Sequence, residues 1–181
     1  GCFITFVVPL IVLSQGPPPP PSRVLLLGDS WTHIMWNNRT YQDVFNQFGH
    51  ADKTEKGDAT AIGGTTASYW AIPGNLAVIT NELSTNTSID VVLISIGGND
   101  FLAGSTNGGW HTGRKATKES ALFDVIQANI QAMVNTIKAV RSDIEIVFSG
   151  YDFVNLTETV INDPTGPTGL LWLNLGQPTI S

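Results

Sequence analysis

Charge is scarce in this chain. Asp, Glu, Lys and Arg together make up 13% of its 181 residues, about half the share of an ordinary globular protein. What charge there is leans acidic, with 15 acidic against 9 basic residues and a net charge of −6. No basic stripe is available to meet phosphates, which argues against a nucleic-acid partner. Cysteine is nearly absent: Cys2 stands alone, so neither an internal disulfide framework nor a cysteine-based zinc site can form. Three scattered histidines make no metal-binding cluster, and no metal or organic cofactor is expected. Long apolar runs are missing too. The longest, Phe3 to Leu13, spans eleven residues broken only by Thr5 and Pro9, short of the roughly 18 needed for a membrane span.

Hydrophobic residues are plentiful, at 42%, and the length suits one domain with a sizeable core. Low charge with 18 Gly and 10 Pro fits a secreted, periplasmic or cell-surface protein. Residues 1–16 read as a signal-like segment. The apolar run has the length of a signal-peptide core, and Ser14 and Gly16 supply small residues where a peptidase cuts. A buried strand or helix is the alternative. The chain opens on Gly and lacks the charged leader, so an N-terminal cut is expected. Cys2 precedes the apolar run rather than following it, which argues against a lipid anchor. Pro17 to Pro21 are five consecutive prolines, a semi-rigid polyproline II spacer. Residues 17–22 are therefore a linker, and 23–181 the globular domain.

Within that domain strands and helices alternate. Val24–Leu27 is a short buried strand ending at Gly28-Asp29-Ser30, and a helical stretch follows to about Phe48. Ala59–Ile62 is a weak second strand before a Gly-Thr loop. A helix covers Ala67–Leu83, broken near Pro73-Gly74. Ile89–Ile96 is long, β-branched and apolar on both faces, the pattern of a central parallel strand. Thr117 can cap a long helix to about Arg141, whose apolar positions Leu122, Ile126, Ile130, Met133, Ile137 and Val140 follow the 3.6-residue period. Ile144–Ser149 is the next strand. The alternation predicts an α/β domain with a parallel sheet and helices on both faces.

In such sheets chemistry gathers at the carboxyl ends of the strands. Ser30 follows a buried strand and opens a helix, a setting for a nucleophile near a helix N-terminus, or for a plain helix cap. Gly63-Gly64-Thr65-Thr66 can bring a backbone N–H close to a ligand, or can be an ordinary turn. Gly97-Gly98-Asn99-Asp100 directly follows the strongest strand, and Asn99 carries an N–H donor that can point into a cleft.

The three blocks together resemble the SGNH hydrolase family, the GDSL esterases and lipases, over roughly Val24 to Tyr151. VLLLGDSW and IGGND are the specific stretches. The resemblance implies a flavodoxin-like three-layer α/β/α sandwich and an ester hydrolase working through an acyl-enzyme. It makes Ser30 the nucleophile, and the Ser30 N–H, the Gly64 N–H and the Asn99 side chain the oxyanion-hole donors, with Gly63 the alternative to Gly64. Asp29 and Asp100 are expected to hold loop backbone rather than do chemistry. The family's closing block, Asp-x-x-His, is not in this sequence: no Asp or Glu is followed by His three residues later. The expectation is a chain truncated at its C-terminus, lacking the last strand and helix, poorly soluble and nearly inactive until that block is supplied.

None of the three histidines makes a persuasive base. His33 lies one helical turn beyond Ser30 on a flank that faces away from it, and His50 sits in a turn. His111, in the loop Asn107-Gly108-Gly109-Trp110-His111, is a better candidate for substrate contact, together with Trp31 and Trp110; Trp36 and Trp70 read as core or rim. Asn38, Asn86 and Asn155 head glycosylation sequons. The substrate expected is a small-molecule or glycan ester. A non-catalytic domain of the same type, binding a glycan or other ligand in the cleft, is the alternative. A phosphate or nucleotide binder is disfavoured, because the loop after the first strand has one glycine and an acidic residue. If 1–16 is a signal segment, a chain beginning at Ser22 keeps the melting temperature of the whole chain and gains solubility. A large drop in melting temperature would show instead that Phe3–Leu13 belongs to the core.

Overall fold

A computed structural model describes residues 20–102 and 119–150. The signal-like segment, most of the proline run, the loop with Trp110 and His111, and Asn155 lie outside the described residues. Strand β1 (Ser22–Gly28) is followed by α1 (Ser30–Asn37), α2 (Thr40–Gln47), β2 (Thr54–Lys56), α3 (Ala67–Trp70), α4 (Pro73–Thr85) and β3 (Val91–Ser95). Then come α5 (Gly98–Leu102), α6 (Glu119–Val140) and β4 (Glu145–Phe148). The four strands form one parallel sheet in the order β2-β1-β3-β4.

The apolar runs are continuous because β1 and β3 are covered on both faces. Leu25, Leu27, Val92 and Ile94 join the main core with Trp70, Ile79, Leu83, Met133 and Ile137 from α3, α4 and α6. The intervening Val24, Leu26, Val91 and Leu93 turn to the opposite face and meet Trp36, Tyr41 and Phe45 from α1 and α2. The strand period of two thus sends alternate side chains to two helical layers, and the domain is the expected three-layer α/β/α sandwich.

Two local expectations are corrected. The second strand is Thr54–Lys56, not Ala59–Ile62; of the latter only Ala61 bridges to the sheet, opposite Gly28. The observed strand is a three-residue edge with charged Glu55 and Lys56, so hydrophobic patterning does not reveal it. The helical stretch after Ser30 is two helices, because Arg39 adopts the left-handed conformation at φ 56°. Its guanidinium lies 4.9 Å from the centre of the Trp36 ring. The break before Pro73 falls where the sequence places it, with Pro73 opening α4. In α6 the side chains of Leu122, Ile126, Met133 and Ile137 are buried, following the predicted period.

Glu55 is a buried acidic residue in this frame. Its side chain is fully buried, and neither carboxylate oxygen has a well-formed hydrogen bond. Burial pushes its pKa up; the Arg39 guanidinium, 3.7 Å away, and the Tyr41 and Gln42 amides oppose this only in part. A raised folded-state pKa means that the folded protein keeps this proton to higher pH than the unfolded chain. Stability therefore falls as pH rises from the ordinary value of 4.5 through the raised one. Glu55→Gln removes that slope, at the loss of the ion pair with Arg39. Urea unfolding between pH 4.5 and neutrality should show the variant gaining on the native protein as pH rises. A parallel pH dependence in the two proteins would show that Glu55 is not the group responsible.

Candidate active site

The carboxyl ends of β1 and β3 lie side by side at the position where open α/β sheets form a ligand crevice. From β1 the chain goes on to the β2 side of the sheet, and β3 continues the sheet on the other, so the order reverses between them. Gly28, the last residue of β1, pairs with Ser95, the last of β3. A Cβ at Gly28 would overlap the Ser95 carbonyl oxygen and come within 2.9 Å of its carbon, so only glycine lets the strands meet here. The Asp29 amide donates to the same Ser95 oxygen at 3.2 Å, and the Thr32 hydroxyl at 3.3 Å.

Ser30 is the first residue of α1, and the helix cap is its neighbour. The buried Asp29 side chain accepts from the Trp31 amide at 3.1 Å. Capping is thus done by a carboxylate, leaving the half-buried Ser30 in the first turn of the helix at the positive end of its dipole.

The glycine block is stitched to β1 by backbone bonds. Gly28 donates to the Thr60 carbonyl (2.9 Å), and its own carbonyl accepts from the Ile62 amide (3.0 Å). A turn over 62–65 then closes with the Thr65 amide on the Ile62 carbonyl at 3.4 Å. Gly64 has φ +78° while Gly63 is not in the positive-φ region, the pattern of a type II turn, which favours glycine at its third position. Among the described residues, no hydrogen bond is made by the Gly63 or Gly64 amide. The turn also lies beside the serine: a Cβ on Gly63 would stand 4.0 Å from the Ser30 Cα, and nothing comes within 4 Å of one on Gly64.

From the other strand end, Asn99 in α5 donates through Nδ2 to the Thr65 carbonyl at 2.9 Å. The next residue, Asp100, is buried and accepts from the Ala67 amide at 2.6 Å and the Ser68 amide at 3.4 Å. Its pKa is pushed up by burial and pulled back by those amides. Asp29 and Asp100 both hold backbone, as expected. Asn99 and Asp100 together hold residues 65–68, so side-chain hydrogen bonds join the two loops.

Sequence reading missed Thr65. Its buried hydroxyl lies 3.1 Å from the Gly28 carbonyl and 2.9 Å from the Ile62 carbonyl, and accepts from Trp70 Nε1 at 3.1 Å. Only the Gly-Gly-Thr-Thr string hinted at it, and that string reads equally well as an ordinary turn.

The described histidines are placed away from base duty. Nδ1 of His33 lies 2.8 Å from the Ala61 carbonyl, and Nε2 lies 2.8 Å from Asn37 Nδ2. In that arrangement Nδ1–H donates to the Ala61 carbonyl and Nε2 accepts from the Asn37 amide. His50 precedes β2 and so lies at the amino edge of the sheet, opposite Ser30. Trp31 is 58% exposed beside Ser30, Trp36 packs in the smaller cluster, and Trp70 is buried in the main core. Among the described residues no group of three or more His, Cys, Asp or Glu could hold a metal, and no helix is long and apolar enough to cross a membrane.

A family model described as GDSL-like Lipase/Acylhydrolase matches residues 26–177. No curated protein matches the chain. Among solved structures it is similar to a family 3 carbohydrate esterase of Clostridium thermocellum, at 20% identity and a TM-score of 0.48. That similarity covers 83% of this chain and 70% of the other.

The glycines are separable by unfolding measurements. Gly28→Ala should cost about 2 kcal/mol or more, since β1 and β3 must part. Gly64→Ala should cost about 1–2 kcal/mol from its backbone alone. Gly63→Ala, without positive φ or a close neighbour, should stay within about 0.5 kcal/mol. Equal costs at all three positions would contradict this geometry.

Proposed function

The chain belongs to the GDSL-like lipase/acylhydrolase family, and on that premise we propose that it cleaves carboxylic esters through an acyl-enzyme on Ser30. The observation that carries this reading is the position of Asn99. One Nδ2 hydrogen is committed to the Thr65 carbonyl, and in this reading the second is offered to the ligand held at Ser30.

In the proposed reaction Ser30 Oγ attacks the ester carbonyl carbon and passes its proton to a general base. The carbonyl oxygen becomes an oxyanion, held by the Ser30 N–H, the Gly64 N–H and the second Asn99 N–H. Collapse breaks the ester C–O bond, the base returns the proton to the leaving alcohol, and water hydrolyses the acyl-enzyme by the same route. No cofactor enters. Because both His33 nitrogens are engaged and His50 lies at the far edge, we assign the base to a histidine outside the described residues. Trp31 lies where it can line the side of the crevice at Ser30; Trp110 and His111 complete the proposed substrate contacts. The substrate class is a small-molecule or glycan ester, and the protein is exported.

The test is hydrolysis of p-nitrophenyl acetate by the full-length gene product. Ser30→Ala should abolish turnover. Asn99→Ala should lower kcat by about 10²–10³ with KM nearly unchanged, and His33→Gln should remain active. Loss confined to KM in Asn99→Ala would make Asn99 a ground-state contact. Tight ligand binding with no turnover would favour the binding-domain alternative.

A further inference from the structure

We propose that Thr65 is the positioning residue of the oxyanion site, joining the strand end that carries Ser30 to the side chain of Asn99. The inference rests on the ester-hydrolase reading and adds to it a residue that contacts neither substrate nor reacting atoms.

Three connections meet at Thr65. Its carbonyl accepts from Asn99 Nδ2 at 2.9 Å. Its hydroxyl reaches the Gly28 carbonyl, two residues before Ser30, at 3.1 Å and the Ile62 carbonyl at 2.9 Å. Because one hydroxyl has one hydrogen, that hydrogen is shared between the two carbonyls or alternates between them, while a lone pair accepts from Trp70 Nε1 at 3.1 Å. Thr65 is also bonded to Gly64, and it is buried. The Ser30 amide, the Gly64 amide and the Asn99 amide come from three separate segments, and Thr65 is bonded, covalently or by hydrogen bonds, to the segments that carry all three.

The consequence is a division of labour inside one residue. The carbonyl orients Asn99 so that its second N–H faces the crevice. The hydroxyl and the Trp70 indole hold that carbonyl in place relative to Gly28. Thr65→Val keeps the shape and the carbonyl but removes the hydroxyl's hydrogen bonds. The donors then drift, and misplacement of about 1 Å costs up to roughly 10²-fold in rate. Because the oxyanion exists only in the transition state, the loss falls on kcat.

The experiment compares Thr65→Val, Thr65→Ser and Thr60→Val in the full-length gene product. Thr60 is the control: its buried hydroxyl also bonds a β1 carbonyl, that of Leu26 at 2.5 Å, but does not touch Asn99. Thr65→Val should lower kcat roughly 10- to 100-fold with KM nearly unchanged, and weaken inhibition by phenylboronic acid in parallel. Thr65→Ser should recover most of the activity. Thr60→Val should lose melting temperature without that loss of kcat. Equal kcat losses in Thr65→Val and Thr60→Val, or no rescue by serine, would make Thr65 merely structural. Where Thr65→Val does not fold, the native protein decides by NMR: one Asn99 side-chain hydrogen should be protected from solvent exchange, and rapid exchange of both overturns the inference. Wild-type kcat in Thr65→Val, with Ser30→Ala inactive, overturns this inference alone. Turnover that survives Ser30→Ala overturns the ester-hydrolase reading with it.

Discussion

The meeting of Gly28 with Ser95 is the contact on which the crevice depends. Two parallel strands end side by side with a carbonyl oxygen occupying the space where any other residue would carry Cβ. That oxygen then accepts from the Asp29 amide and the Thr32 hydroxyl, so the first turn of α1 is held against the end of β3. On its other side, Gly28 uses its amide for Thr60 and its carbonyl for Ile62 and Thr65. A residue without a side chain thereby ties the loop between β2 and α3 to the end of β1 through its backbone.

Electrostatics follow the same economy. The chain has few charges, and two of its acidic groups are spent inside this edge on backbone amides: Asp29 on α1 and Asp100 on the start of α3. Carboxylates at helix N-termini complement the dipole and satisfy amides that have no helical partner. Here they also free the neighbouring residues. Because Asp29 does the capping, Ser30 need not; because Asp100 holds Ala67 and Ser68, Asn99 is left to Thr65 and the crevice.

The α/β class was legible because the buried strands and the period of α6 leave strong patterns, and the chemical blocks fall where those strands stop. Elements that tertiary contacts create were not legible. β2 is three residues long with a buried Glu55, a composition that no hydrophobic rule selects. The division between α1 and α2 depends on Arg39 entering the left-handed region, which neither glycine nor proline announces. Thr65 reads as a polar loop residue, and its importance comes from Gly28, Trp70 and Asn99, which are distant in sequence or belong to other elements. Ser30 could be read as a cap or as a nucleophile until the cap was seen to be Asp29.

Covalent labelling addresses the nucleophile itself. The ester-hydrolysing gene product would be treated with a fluorophosphonate, digested and mapped by mass spectrometry. The phosphonyl group should sit on the peptide containing Ser30, with loss of activity in proportion to labelling. Inactivation with the label on a different residue, or full labelling of Ser30 with activity intact, would contradict the assignment of Ser30 as the attacking group.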